Sequence, residues 1–305
     1  MTALLVITNI LFLLLVSRIF AQERSSSYFF NPFLLWSTKI TNQIIDFANP
    51  IFPGLGKSAV AGLVLLFLLV FRAAILATVP VSGWQIFVGT MVQHFPRPGW
   101  GNAIIFSILD FLSFYIHFAG MVLFMRLIAA SRTESRVPSA FAEYALPFSR
   151  LPVAGQIVAL VVANAFFVYL LGTVTDGVLV SAKARAPMAS AFVMNTPARM
   201  IGVYAGLTVL SVADILSFTR QALILLIFAS LAAAIFQNRA MVSLFVEMQN
   251  ALIGRFSRRP VTIGIFDFTP VLFFIALNLI YGVFIFLFTV VMRYAGLIPA
   301  GALAY

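Results

Sequence analysis

The run Arg255-Phe256-Ser257-Arg258-Arg259, followed by Asp267-Phe268-Thr269-Pro270 and then Val271-Leu272-Phe273-Phe274-Ile275-Ala276-Leu277, decides the fold. From Val271 to Met292 the chain carries no charge, and a helix of roughly 20 apolar residues is what crossing a bilayer requires. Thr269 and Pro270 read as the N-cap and first position of that helix: the Thr hydroxyl accepts from an orphan N–H, and Pro lacks the N–H that would go unpaired. Asp267 then sits just outside, where it accepts a backbone N–H or pairs with Arg258 or Arg259. Arg255, Arg258 and Arg259 lie on a basic surface helix at the level of lipid headgroups.

Working outward, composition agrees with this reading. Of 305 residues, 62% are hydrophobic and only 9% are charged, with a mean hydropathy of +1.07. A soluble domain of this length needs more charged surface, whereas a helical membrane domain places polar groups mainly in its loops. The 33 Phe residues suit both lipid-facing surface and interhelical packing. Cysteine is absent, which removes disulfides, thiolate metal sites and cysteine nucleophiles. The formal charge of +10 is spread over many short loops, which fits an anionic membrane surface and not nucleic acid.

Six spans are expected: Leu4 to Phe20, Ser58 to Leu76, Ala103 to Ile128, Val153 to Leu171, Ile215 to Phe236 and Val271 to Met292. The first reads as a retained span, because no basic segment precedes it and no small-x-small site follows it. Two shorter stretches, Thr78 to Val92 and Met200 to Ala213, read as interfacial or re-entrant segments, or as a seventh and eighth span. Loops after the first, third and fifth spans hold Arg24, Lys39, Lys57, Arg132, Arg136, Arg150, Arg239, Arg255, Arg258 and Arg259. Positive-inside bias places these loops in the cytoplasm and both termini outside. Arg72, Arg220 and Arg293 are assigned to span ends.

The chain is therefore read as an all-α membrane protein of hairpin units, each a span, a basic amphipathic loop and a returning span. They occupy residues 1–80, 81–200 and 201–305. Asp110-Phe111-Leu112-Ser113-Phe114 echoes Asp214-Ile215-Leu216-Ser217-Phe218 at the starts of the third and fifth spans, a sign of duplication. In the first loop, Trp36, Ile40, Ile44 and Phe47 recur at helical spacing from Phe33, with Lys39 elsewhere on the wheel. In the last, Met241, Phe245, Met248, Leu252 and Phe256 form a similar stripe. Both describe helices lying flat at the interface.

Chemistry is sparse. His94 and His117 are the only histidines and stand apart, so they make no haem or metal pair; His117 reads as a packed helix residue with a local hydrogen bond. No zinc-protease, nucleophile-elbow or phosphate-cradling motif occurs. No enzyme and no cofactor are expected. Asp110, Asp214, Asp176 and Asp267 are assigned to span termini, where a carboxylate favours a helix N-terminus. Asn9, Asn164 and Asn278 lie deeper and are expected to bond between helices, while Gly120, Gly206 and Gly282 are close-packing positions.

The spacing Arg255, Arg258-Arg259, Gly264, Asp267-Phe268-Thr269-Pro270 resembles the YggT (YlmG) family signature, a basic segment before G-G-I-D-F-S-P and a transmembrane helix. In the first hairpin, Arg18, Asn31-Pro32-Phe33, Lys39-Ile40-Thr41, Ile44-Ile45 and Ile51-Phe52-Pro53-Gly54-Leu55-Gly56 are similar to the family's positions. The likeness covers about the first 80 and last 90 residues; the middle 130 read as a degenerate third copy. Asn49 and Pro50 replace the family's paired arginines, Ala59, Ala61 and Gly62 its Asp and Ser-Pro, and Thr269 its Ser. Family members usually have two hairpins, so this chain resembles an enlarged relative.

The resemblance implies a bacterial inner-membrane protein without catalytic activity that helps assemble or stabilise a larger membrane protein complex. Its interface would be Arg255, Arg258, Arg259, Asp267, Lys39 and Trp36, meeting anionic lipids or other membrane subunits. The alternative is an ion-conducting or osmotic-response protein acting as a homo-oligomer.

Overall fold

The computed structural model describes residues 2–20, 31–78, 84–88, 91–95, 99–128, 136–174, 179–181, 197–258, 260–263 and 266–294. Its helices are α1 (Thr2–Phe20), α2 (Pro32–Ala48), α3 (Lys57–Thr78), α4 (Trp100–Ile128), α5 (Arg136–Tyr144), α6 (Val153–Val174), α7 (Pro197–Ile235), α8 (Arg239–Ile253) and α9 (Thr269–Tyr294). Strands β1 (Trp84–Val88), β2 (Met91–Phe95) and β3 (Leu179–Ser181) form an antiparallel sheet. β4 (Thr262–Ile263) and β5 (Phe266–Asp267) pair just before α9.

Among the described residues, α3, α4, α6, α7 and α9 are long and apolar enough to cross a membrane, and the apolar run Leu4–Phe20 of α1 is shorter. The chain is an all-α integral membrane protein. Local sequence sets the helix ends. Asn31 accepts from the Phe33 N–H and is followed by Pro32, starting α2. Asn238 accepts from the Met241 N–H to start α8, which stops at Gly254 with φ +59° and ψ −123°.

Two expectations are corrected here. Met200 to Ala213 and Ile215 to Phe236 are not separate segments but one continuous helix, α7, of 39 residues. No Pro or Gly breaks it after Gly206, and the charge at Asp214 is satisfied by a neighbouring helix. The stretch from Thr78 to Val92 is not a further helical span among the described residues: Thr78 ends α3, and 84–88 and 91–92 form β1 and the start of β2.

The helices fall into three hairpins with one plan. In each, two apolar helices pack on each other, α1 on α3, α4 on α6 and α7 on α9, with a short helix between them, α2, α5 and α8. The middle short helix, α5, was not expected. α4 is the hub and touches α1, α3, α6 and α7. Phe106, Phe167, Leu171 and Leu210 are buried in one core, and Leu13, Phe118, Met121, Leu223 and Leu252 in another. Lipid gives apolar helices little reason to associate, so close fit must do so. A Cβ added at Gly120 would stand 2.5 Å from Cδ1 of Ile215, which shows how tightly α4 and α7 approach. Phe67, Phe71, Leu225 and Phe228 face outward, as lipid requires.

Candidate functional site

At one end of the bundle the three short helices form a layer, with α5 touching both α2 and α8. α2 turns Leu34, Ser37, Thr41 and Ile45 inward. The Ser37 and Thr41 hydroxyls donate to the carbonyls of Leu34 and Ser37, so their polar atoms are buried with partners. The aromatic stripe points the other way: Trp36 is 65% and Phe47 81% exposed. Lys39 is exposed among them. A flat helix that shows large aromatic rings and a cation away from protein is suited to the headgroup zone. α8 differs, because Leu252 is buried and Phe245 and Met248 pack on the core, while Met241 and Phe256 stay exposed.

Other basic groups on this side hold the layer together. Arg18 Nη2 donates to Asn42 Oδ1 at 3.0 Å and ties α1 to α2. Arg150 Nη2 donates to the Phe20 carbonyl at 3.0 Å. Asn31 Nδ2 donates to Ser139 Oγ at 3.1 Å, and Tyr144 donates to the Phe33 carbonyl at 2.9 Å, docking α5 on the start of α2. Glu143, half-buried on α5, has its carboxyl pushed up by burial, which Arg150 partly opposes.

The expected interface residues are only partly gathered. Arg255 is exposed at the end of α8; the side chain of Arg258 and the whole of Arg259 lie outside the described residues, as does Gly264. Thr269 does not cap α9. Its hydroxyl accepts from the Val261 N–H at 2.9 Å, while Asp267 Oδ1 accepts from the Thr269 N–H at 2.8 Å. The first turn closes from Leu272 N–H to the Phe268 carbonyl, with Pro270 inside it. The carboxylate therefore does the capping expected of the hydroxyl, which instead meets the Val261 N–H just before β4.

Deeper in the bundle Asp110 and Asp214 are not terminal, whereas Asp267 is, and Asp176 lies outside the described residues. Asp110 lies ten residues into α4 and Asp214 seventeen into α7. Arg72 is not at a span end either; it is 1% exposed within α3, paired with Asp110. Its Nη1 donates to Asn9 Oδ1 at 2.6 Å, Asn9 Nδ2 donates to Asp110 at 2.9 Å, and the guanidinium lies 5.6 Å from the Phe12 ring centre. Three helices thus share one neutralised charge pair, the arrangement that makes a buried ion tolerable in lipid.

The second cluster joins α7 to α9. Arg220 donates to Asn278 and to Ser217, and lies 5.8 Å from the Tyr281 ring centre. Tyr281 donates to Asp214 Oδ1 at 3.0 Å. Ser211 donates to Asn164, linking α7 to α6. All three deep asparagines bond between helices, as expected. His117 Nδ1 is 2.6 Å from the Ser113 carbonyl, so that nitrogen carries the proton, and the ring stacks on Phe218. Sequence reasoning missed Arg72 with Asp110; the signal was one Arg and one Asp on consecutive, mutually packed spans. Gly120 is a close-packing position, whereas a Cβ at Gly282 would meet nothing within 4 Å.

Among the described residues no three His, Asp or Glu side chains gather in a way that could hold a metal ion. No family model, curated protein or solved structure matches this chain.

Proposed function

We propose that this chain is a non-catalytic integral membrane subunit that helps assemble or stabilise a larger membrane protein complex, as a divergent relative of the YggT family. The observation that carries the reading is the α2–α5–α8 layer, which displays Trp36, Phe47 and Lys39 at one face of the bundle. In this reading the membrane is the bacterial inner membrane, with the layer on the cytoplasmic side and both termini outside. Arg255, Arg258, Arg259 and Lys39 attract anionic headgroups or acidic partner loops, each contributing about 1 kcal/mol near the surface. Trp36 anchors depth, and Asp267 completes the polar rim.

The test is recovery of partners from native membranes in mild detergent at low salt, with mass spectrometry of everything co-migrating with the chain. Replacing Lys39, Arg255, Arg258 and Arg259 together by Gln should lower partner and anionic-lipid recovery several-fold at unchanged membrane abundance. Unchanged recovery sinks the proposal.

A second reading, an ion-conducting or osmotic-response homo-oligomer, is favoured by the ionisable groups Arg72, Asp110, Arg220 and Asp214 within the spans, since such groups often mark ion pathways. It requires potential-dependent flux in liposomes that Asp214→Asn changes. Absence of flux from correctly folded protein removes it.

A further inference from the structure

Each hairpin meets the next through the same four contacts. Between the first and second, α1 and α3 pack on α4, and α1 and α2 pack on α5. Between the second and third, α4 and α6 pack on α7, and α4 and α5 pack on α8. The internal echo follows this plan. Asn9-Ile10-Leu11, Asp110-Phe111-Leu112 and Asp214-Ile215-Leu216 share a pattern. Asn9 bonds Asp110 across the first junction, and Phe12 sits edge-on to Phe111 with ring centres 5.4 Å apart. Across the second, Phe114 meets Phe218 at 5.6 Å.

Among the described residues, the third hairpin leaves its forward surface uncovered. α9 packs mainly on α7 and touches α8 only lightly, and only 12% of its apolar stretch is buried, against 33% for α3 and 28% for α6, which each carry a following hairpin. On α9, Leu279, Val283 and Phe286 are exposed, and the open side of Gly282 leaves room for a close backbone approach. The α7–α8 elbow repeats the gap. At the equivalent α1–α2 elbow, Asn31 caps α2 and reaches Ser139 of the following hairpin. Asn238 caps α8 in the same way, but beside it lies a groove of about 660 Å³ lined by Ala234, Gln237, Arg239, Val242, Ser243 and Val246. At the opposite end of the series, α1 is exposed on Val6, Ile7 and Ile10, in the half of the helix away from the α2–α5–α8 layer.

We propose that copies of this chain associate head to tail, the third hairpin of one receiving the first hairpin of the next through the contact plan already used twice within the chain. α1 of the second copy seats against α7 and α9, and its α2 fills the groove at the α7–α8 elbow. Such a heterologous contact closes into a ring if its rotation permits and otherwise continues as a row. This goes beyond the assembly reading and involves other residues than the basic set tested there.

The absence of native cysteine makes the test direct. Differently tagged chains bearing Ile10→Cys or Val283→Cys are co-expressed and oxidised in native membranes. The mixed product should form several-fold more than either like-with-like product, and Gly282→Leu should suppress it. Equal or greater like-with-like crosslinking shows a two-fold contact and overturns the proposal. So does lack of mixed product for every pairing of 6, 7 and 10 with 279, 282, 283 and 286, in membranes where a chain carrying Phe114→Cys and Phe218→Cys closes its internal bond. Native mass spectrometry of the unaltered chain gives an independent reading: a ring or ladder agrees, and monomer at all concentrations does not.

Discussion

Phe114 of α4 meets Phe218 of α7 edge to face, with ring centres 5.6 Å apart and planes at 79°. These are corresponding residues of the echoed runs that begin at Asp110 and Asp214. The echo is therefore a contact surface, and the two central spans meet through like residues. Four expectations test how this packing and its polar clusters hold the bundle.

Arg72 and Asp110 should behave as a unit. Arg72→Met alone leaves a carboxylate among apolar helices, and loss of one partner of a buried pair costs about 3–5 kcal/mol. Combining it with Asp110→Leu should cost less than the sum of the two single changes. Unfolding of all three variants in one detergent, arranged as a double-mutant cycle, measures the coupling. Simple additivity would show that the pair contributes nothing beyond its separate atoms.

Gly120→Ala should destabilise by about 1–3 kcal/mol, because its Cβ overlaps the Ile215 side chain. Ile215→Ala in the same chain should recover much of that loss, since the obstruction is a side chain and not backbone. Thermal melts of the single and double variants decide the matter, and absence of rescue would locate the constraint elsewhere.

Gly254→Ala should be worse and resist rescue. The added Cβ would stand 2.6 Å from the carbonyl oxygen of Ile128, on a residue whose φ is +59°. Both the backbone conformation and the space exclude it. Protease sensitivity around 254 to 258 should rise even where the spans stay inserted.

Glu143 should make stability fall as pH rises. Burial holds its carboxyl above the ordinary value of 4.5 in the fold, so the folded chain binds that proton more tightly than the unfolded chain does. The stabilisation is present below the ordinary value and is lost as pH climbs through the raised one. Glu143→Gln should flatten that part of the profile and raise stability at neutral pH. Melting temperatures from pH 4 to 8 check the sign.

Much of the architecture was legible because it follows from one-dimensional rules. An uncharged run such as Val271 to Met292 has few alternatives to a span, and the stripe Trp36, Ile40, Ile44 and Phe47 has the spacing of a helix. The buried pair was not legible, because depth depends on where a helix begins: α4 starts at Trp100 and carries Asp110 inward, and α7 runs straight through Asp214. α5 escaped notice since it is nine residues long with Pro138 near its start. Thr269 was misread for a tertiary reason, as its hydroxyl is taken by Val261, eight residues away and brought back by the β4–β5 turn. The outward stripe of α2 was visible as periodicity, but which side faced protein was settled by Ser37 and Thr41 satisfying their hydroxyls on their own backbone.

α7 is an unbroken rod of 39 residues, about 58 Å long at 1.5 Å per residue, nearly twice the roughly 30 Å hydrocarbon thickness it crosses. One of its ends carries the interfacial layer through α8, and near the other it touches strand β1. A helix that overshoots the bilayer answers thinning or thickening by changing tilt. Over this length, a tilt of about 10° sweeps the far tip sideways by about 10 Å. One continuous helix thus connects the α2–α5–α8 layer to the β1–β2–β3 sheet, so a change in its tilt is felt by both.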